Sequence, residues 1–215
     1  YSLHVKFPFS MMVWGGIIGH RKTELMKCPP KLNAQTYTEM LEGNGVVAFM
    51  RAIGEDVIFQ QDGARCHVAL KTRRWFAANG VRLLEGWPAN SPDLSPIEQV
   101  WGIVKRFIVE RHVMKQPLPN DQLERAVFDA YNRVQPKTIA ILTRSVKYRV
   151  QLCIAREGQF IGDMMDECCR RARVELETQN DIRLISLGTA AMEGDADDDE
   201  TEEEPQNEPQ LPSFR

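Results

Sequence analysis

Short apolar runs that alternate with amphipathic stretches are the feature that most restricts the fold of this sequence. The run Met11–Gly19 is apolar, β-branched and interrupted by glycine, which is typical of a buried strand with a bend. The run Asp56–Asp62 is short, apolar and ends in an acid, while Ile97–Met114 spaces its apolar residues as a helix does. Strands that alternate with helices as far as residue 115 predict an α/β core, with helices appended after it.

Further elements are predicted from local signals. Asn33 is expected to cap a helix, Gly80 to end one, and Pro136 to begin one. The predicted helices cover residues 34–41, 67–79, 121–134, 137–157 and 163–179, and two short strands are predicted at 23–26 and 81–84.

Charge is divided unevenly along the chain. Ten acidic residues and one basic residue lie between Gly188 and Arg215, so residues 1–187 hold 26 basic and 20 acidic residues. A mildly basic body favours an anionic partner, although a solvated mixed surface explains the charge equally well. The acid-, proline- and glutamine-rich composition from residue 188 predicts a disordered tail, which either aids solubility or masks the basic body.

Composition excludes several kinds of site. No apolar run approaches the roughly 18 residues that a membrane span needs, so no membrane partner is expected. The five cysteines show no C-x-x-C spacing and the four histidines are scattered, which is unlike a zinc site. A metal site in this chain therefore has to be built from carboxylates.

Asp62 is the first candidate carboxylate, because it follows an apolar strand. Functional sites in open α/β sheets lie outside the carboxyl ends of strands, and a carboxylate held there suits a hard cation such as Mg²⁺. The alternative is a turn-forming aspartate ahead of Gly63.

Glu98 is the second candidate, in the first turn of the helix predicted from Ile97. The alternative role is a capping box over Ser95–Glu98, in which the glutamate reaches back to the cap. Gly102 and Lys105 share the face of Glu98, and the bare glycine turn leaves room for a phosphate backbone to approach.

Three segments, taken in order, resemble the catalytic domain of the Tc/mariner-superfamily transposases, which are DDE (Asp-Asp-Glu) endonucleases with a ribonuclease H-like fold. Val13–Gly15 matches the family's Trp-Gly strand, and Phe59–His67 contains its Gln-Asp-x-Ala-x-x-His pattern. Trp87–Trp101 matches the long pattern Trp-Pro-x-x-Ser-Pro-Asp-Leu-x-Pro-Ile-Glu-x-x-Trp. The resemblance covers most of residues 5–160 and rests mainly on this last, specific segment.

The resemblance implies a fold, a reaction and a site. The fold is α/β, with a ribonuclease H-like mixed sheet flanked by helices, then C-terminal helices and a disordered acidic tail. The reaction is cleavage of transposon-end DNA and strand transfer to target DNA in the nucleus, with a homodimer as one option. Asp62 and Glu98, with 35 residues between them, would be the second and third catalytic acids and would bind Mg²⁺ or Mn²⁺.

One departure from the family bears on activity. The first acid of the family lies on a strand upstream of the Trp-Gly strand, and residues 1–13 contain no carboxylate. We therefore expect an N-terminally truncated catalytic domain over residues 1–160, a helical extension over 161–187 and the tail over 188–215. A chain with one acid missing is expected to be inactive; the alternative is a catalytically dead or co-opted nucleic-acid-binding module.

DNA contacts are expected from basic residues near the two acids. On the predicted helices these are Lys71, Arg74, Lys105 and Arg106, for each of which simple solvation is the alternative. His67 either contacts the site or caps its helix. Asp93 is expected to staple the proline-rich loop.

Overall fold

A mixed β-sheet organises the chain in the computed structural model, which describes residues 11–54, 56–111, 119–178, 185–193 and 213–214. Its strands are β1 (Met11–Ile18), β2 (Arg21–Lys22), β3 (Met26–Lys27), β4 (Ile58–Gln60), β5 (Arg82–Leu83), β6 (Ile185–Glu193) and β7 (Ser213–Phe214). The main order is β2-β1-β6-β4-β5, with β3 paired to β1 and β7 paired to β6. β1 is antiparallel to its partners, whereas β6, β4 and β5 run parallel to one another.

Helices cover both faces of the sheet. They are α1 (Ala34–Gly43), α2 (Val46–Arg51), α3 (Arg65–Val68), α4 (Leu70–Ala78), α5 (Pro96–Arg111), α6 (Asn120–Asn132), α7 (Pro136–Ala155) and α8 (Met165–Thr178). A short 3₁₀ turn, Gly162–Met164, precedes α8, which packs along α7. No helix within the described residues is both long and apolar enough to cross a membrane.

Alternate residues of β1 supply two separate cores. Val13 and Ile17 are fully buried against α5, α6 and α7, while Trp14 and Ile18 belong to the core formed with α1, α2 and α4. A strand that is buried on both faces has apolar residues at successive positions instead of alternating ones, as β1 does. The three-layer arrangement confirms the predicted α/β mixed sheet flanked by helices.

Local capping signals are confirmed at the first helix. The Asn33 side chain accepts hydrogen bonds from the backbone nitrogens of Gln35, at 2.9 Å, and of Thr36, at 3.1 Å. The Thr36 hydroxyl in turn accepts from the Asn33 nitrogen at 2.9 Å, which completes a capping box.

Two predicted elements differ in the structure. The helix predicted over 67–79 is broken at Ala69, where ψ is 141°. The Thr72 hydroxyl donates to the Cys66 carbonyl at 2.6 Å. In a continuous helix this carbonyl would accept from a backbone amide, so the side chain replaces the hydrogen bond that the break removes. Of the strand predicted over 23–26, only Met26 is in a strand, because residues 23–25 lie between β2 and β3. There the Thr23 hydroxyl accepts a hydrogen bond from the Gly16 backbone nitrogen at 2.8 Å.

The C-terminal region also differs from the sequence expectation. The helical extension predicted over 161–187 is present as α8, but β6 crosses the predicted boundary and is a strand as far as Glu193. The prediction of a disordered tail used the composition of residues 188–215 as a whole, in which the acidic run after Met192 dominates. The uncharged stretch Thr189–Met192 was therefore not recognised as part of a strand. Apart from β7, the tail beyond Glu193 lies outside the described residues.

Candidate metal site

Asp62 lies two residues beyond β4, where the chain leaves the sheet. Its carboxylate accepts a hydrogen bond from the Ala64 backbone nitrogen at 3.0 Å, so the turn-forming role considered for this residue is present. The side chain nevertheless remains 56% exposed and can accept further partners. The turn therefore positions the Asp62 carboxylate, and the carboxylate oxygens can still accept further hydrogen bonds or bind a cation.

His67 is the immediate partner of Asp62. Its Nδ1 donates to Asp62 Oδ1 at 2.5 Å, although the imidazole is fully buried. The ring packs on Tyr37 with centroids 4.5 Å apart, and Gln61 links the two by accepting from the Tyr37 hydroxyl and donating to the His67 carbonyl. Of the two roles predicted for His67, the structure supports contact with the site.

The Asp62–His67 contact shifts both pKa values. Burial alone would lower the pKa of His67, but the hydrogen bond and negative charge of Asp62, with a contribution from Cys66, raise it to about 9. Burial likewise opposes ionisation of Asp62, and the bonds from His67 and Ala64 outweigh it and hold the Asp62 pKa below its usual value. The contact thus favours the ionised form of Asp62 and the protonated form of His67.

Glu98 is brought close to Asp62 by α5. It lies in the first turn of that helix and is partly buried. Burial, followed by repulsion from the Asp62 carboxylate, raises the pKa of Glu98 to about 7. The structure therefore brings together the two acids that were predicted from separate segments.

A buried arginine, Arg149 on α7, fixes the loop that leads into α5. Its guanidinium donates to the backbone carbonyls of Asp93 at 3.3 Å and Ser95 at 3.2 Å, and to the Gln99 side chain at 2.8 Å. Asp93 also accepts from the Ile161 backbone nitrogen at 2.9 Å, which confirms its role as a loop staple. Sequence reasoning missed Arg149, because nothing local distinguishes it from other helical arginines.

The donor set fits a hard divalent cation only in part. Two carboxylates that repel each other provide the oxygen ligands that Mg²⁺ and Mn²⁺ prefer, and a cation between them would relieve the repulsion. Within the described ranges, no group of three or more His, Cys, Asp or Glu side chains is placed to hold a metal ion. A cation held by these two carboxylates alone would have to take its remaining ligands from water or another molecule.

The predicted basic residues lie on the two helices that flank the acids. Lys71 and Arg74 are exposed on α4, and Arg106 is exposed on α5. Lys105 is partly buried, and burial lowers its pKa. A side chain at Gly102 would meet nothing within 4 Å, as expected for a bare helix turn.

A cavity of about 520 Å³ lies next to Asp62, and the basic residue Arg73, which was not predicted, is one of the residues that line it. Its lining includes Asp62, His67, Arg73 and Trp87, above a floor that includes Phe59. Arg73 is exposed and lines the same cavity as Asp62, while the predicted Lys71 and Arg74 do not line it. The spacing of basic residues on a helix does not show which of them faces the neighbouring strand ends.

Known proteins similar to this chain are transposases. The chain is 32% identical over 153 residues to the Tc3 transposase of Caenorhabditis elegans, covering 71% of this chain and 46% of that protein. It is 36% identical over 150 residues to the Tcb1 transposase of Caenorhabditis briggsae, covering 69% and 53%. No family model matches the sequence.

Solved structures of similar fold come from Mos1 transposase. The Mos1 catalytic domain with raltegravir and magnesium superposes with a TM-score of 0.54 at 16% identity, covering 65% of this chain and 71% of that one. The Mos1 mariner paired-end complex with manganese gives a TM-score of 0.51 at 20% identity, covering 66% of this chain and 41% of that one. The chain spans about half the length of the curated relatives it matches.

Proposed function

This chain belongs to the Tc/mariner group of transposases, and we propose that it uses Asp62 and Glu98 to bind a divalent cation in a DNA-processing catalytic domain. The observation that carries the proposal is the placement of these two acids, on separate elements, close enough for one to raise the pKa of the other. The Mos1 structures with magnesium and with manganese support a cation of this kind.

The reaction of the proposed domain is phosphodiester cleavage and strand transfer at transposon ends, in the nucleus. Bound divalent cations supply Lewis-acid stabilisation of the charge that develops at the phosphate. In this chain Asp62 and Glu98 would hold the cation, His67 orients Asp62, and Arg149 orients the start of the helix that carries Glu98. With two acids at the site, we expect the 215-residue chain to bind cation and DNA without completing cleavage.

A nicking assay on supercoiled plasmid DNA tests whether the chain cleaves phosphodiester bonds. The purified chain is incubated with Mg²⁺ or Mn²⁺, and nicking is compared with that of Asp62→Ala. We expect neither protein to nick above background, while Mn²⁺ binding to the chain is lost in Asp62→Ala. Nicking that Asp62→Ala abolishes would contradict the expected inactivity, and Mn²⁺ binding that survives the substitution would contradict the site.

Metal affinity is expected to depend on pH through Glu98. Because the folded pKa of Glu98 is about 7 and binding requires the carboxylate, Mn²⁺ affinity should fall about tenfold per pH unit below that value. Above it the affinity should level off. Isothermal titration between about pH 5.5 and pH 8 measures this dependence. Glu98→Gln is the control; a variant that binds Mn²⁺ as tightly and with the same pH dependence would exclude Glu98 as the ligand.

DNA binding is proposed to use the exposed basic residues of α4. We expect the double variant Lys71→Glu/Arg74→Glu to weaken binding to any duplex, and to reduce the dependence of log K on log salt by about two, since each phosphate contact contributes about 0.9. The measurement is fluorescence anisotropy over a salt series. Arg170→Glu on α8, a residue paired with Glu167 on the same helix, is the control. Equal effects of the two changes would remove α4 from the interface.

A co-opted nucleic-acid-binding module is the second candidate function. It is favoured by the finding that, across the described ranges, Asp62 and Glu98 are not joined by a third metal-binding side chain. Such a module would bind DNA equally well with and without Mn²⁺, and Asp62→Asn would leave its DNA affinity unchanged. Cation-dependent DNA binding that requires Asp62 would favour the catalytic domain.

A further inference from the structure

The cavity next to Asp62 lies at the carboxyl ends of two parallel strands. β4 and β5 pair with Ile58 opposite Arg82 and Phe59 opposite Leu83, and the residues that follow both strands line the cavity. Helix α4 forms another of its walls. Ligands of open α/β sheets bind outside the carboxyl ends of strands, so this cavity is placed to receive part of a molecule that Asp62 binds.

The inner wall of the cavity is aromatic. Phe59 and Phe76 are both fully buried, with ring centroids 4.6 Å apart, and both line the cavity. Trp87, in the segment after β5, is a partly exposed member of the lining. A partly exposed aromatic ring can stack on a nucleobase in any sequence, because every base presents a π face. The volume of about 520 Å³ is that of a small-ligand pocket and is too small for a duplex.

Charged side chains in the lining complement the other parts of a nucleotide. Arg73 on α4 is exposed, and its planar guanidinium matches the oxygens of a phosphate. Glu85 is exposed in the segment after β5, and a carboxylate there can accept from an exocyclic amino group of a base. An aromatic ring, a cation and a hydrogen-bond acceptor are thus arranged around a single space.

A nucleotide has to be unpaired to use this cavity. Bases inside a duplex are stacked on their neighbours, so a base must leave the stack before a protein cavity can enclose it. Asp62 lines the cavity, and the segment that carries Trp87 leads into α5 and Glu98. A strand bound at the two acids can therefore place a neighbouring base against Trp87.

We propose that this cavity binds one unpaired nucleotide of the DNA strand held at Asp62 and Glu98, with its base against Trp87 and its phosphate at Arg73. This inference rests on the proposed function of the two acids. It means that the DNA duplex is opened locally beside the cation site. It also means that the chain prefers DNA with an unpaired base, whatever the sequence of that DNA.

A matched pair of DNA duplexes tests the preference for a base. Both carry the same short single-stranded overhang, but in one of them the overhang is abasic, so the two have equal charge. Fluorescence anisotropy with the full 215-residue chain in EDTA should show about tenfold tighter binding of the overhang that has bases, since one stacked base contributes enough for a difference of this size. Equal affinities for the two duplexes would overturn the proposal.

Variants of Trp87 test which side chain provides the preference. Trp87→Ala should reduce the preference to within about twofold, whereas Trp87→Phe, which keeps an aromatic face, should retain most of it. With 2-aminopurine in the overhang, binding should quench the fluorescence of this base in the wild type and in Trp87→Phe, but not in Trp87→Ala. A preference that is unchanged in Trp87→Ala would contradict the proposed stacking.

The phosphate contact has its own matched pair of variants. Arg73→Gln should weaken binding of both overhangs severalfold, because the lost contact is to the backbone. Arg82→Gln is the control, since Arg82 is exposed on the neighbouring strand β5 but is not among the described residues that line the cavity. Equal losses in the two variants would remove Arg73 from the site.

Metal binding separates this inference from the proposed function. If Asp62→Asn abolishes Mn²⁺ binding but the wild type shows no preference for a base, the proposed function stands and the role of the cavity fails. If the preference depends on Trp87 while the chain binds no Mn²⁺, the cavity binds a base and the proposed function fails. Free deoxyadenosine monophosphate that displaces the overhang at equal concentration would assign the cavity to a free nucleotide and overturn its assignment to DNA.

Photo-cross-linking tests the position of the base in the wild-type chain, without a variant that could fail to fold. The overhang carries 5-iododeoxyuridine, the complex is irradiated, and the cross-linked residue is identified by peptide mass spectrometry. We expect the cross-link at Trp87. Cross-links confined to residues outside the cavity would overturn the proposal.

Discussion

Replacing Arg149 by methionine is expected to lower the free energy of unfolding by at least about 3 kcal/mol, since each buried acceptor left without a partner costs about 1–3 kcal/mol. The side chain is fully buried and donates to the Ser145 hydroxyl at 2.8 Å, as well as to the carbonyls of Asp93 and Ser95 and the side chain of Gln99. Methionine fills much of the same volume but donates to none of them. Urea denaturation of the full chain measures the loss.

Arg156→Met is the matched control for this prediction. Arg156 directly follows α7 as its C-cap residue, is about one-third exposed, and forms an ion pair at 2.9 Å with the exposed Asp163. An exposed pair of this kind contributes about 0–1 kcal/mol, so the control should unfold at nearly the wild-type urea concentration. Arg149→Lys keeps the charge but not the planar fork, and should fall between the two. If Arg149→Met and Arg156→Met cost the same, the Arg149 network does not stabilise the fold.

Asp62→Asn is expected to weaken Mn²⁺ binding by about a hundredfold or more, because one of two carboxylate ligands is lost while the shape of the side chain is kept. The amide oxygen of asparagine can still accept from the Ala64 nitrogen, so the turn after β4 should survive. Isothermal titration with Mn²⁺ measures the affinity, and circular dichroism checks that the fold is intact.

Asp56→Asn is the control for the charge change alone. Asp56 is fully exposed, lies before β4 and pairs only loosely with Arg82 at 3.4 Å. Removing its charge should leave Mn²⁺ affinity within about twofold, because an exposed charge away from the site is screened by salt. A similar loss in both variants would mean that net charge, and not the Asp62 carboxylate, governs cation binding.

The candidate site divides into residues that the sequence could identify and residues that it could not. Asp62 and Glu98 were predicted, because one ends an apolar strand and the other begins a helix within a long, specific motif. The contact of His67 with Asp62 was one of two alternatives, and only the packing of Tyr37 and Gln61 around the ring selects it. Arg73 was missed because the residues that form the cavity beside Asp62 come from separate segments.

The sequence by itself determined the elements whose signals are local. The apolar run of β1, the Asn33 cap and the helical spacing of α5 each follow from side chains a few residues apart, since backbone geometry repeats over that distance. Tertiary structure alone decided which distant segments meet: the insertion of β6 between β1 and β4, and the binding of the loop before α5 by Arg149. Residues 185–193 have no local signal for a partner, because strand pairing depends on which unpaired edges the rest of the fold leaves open.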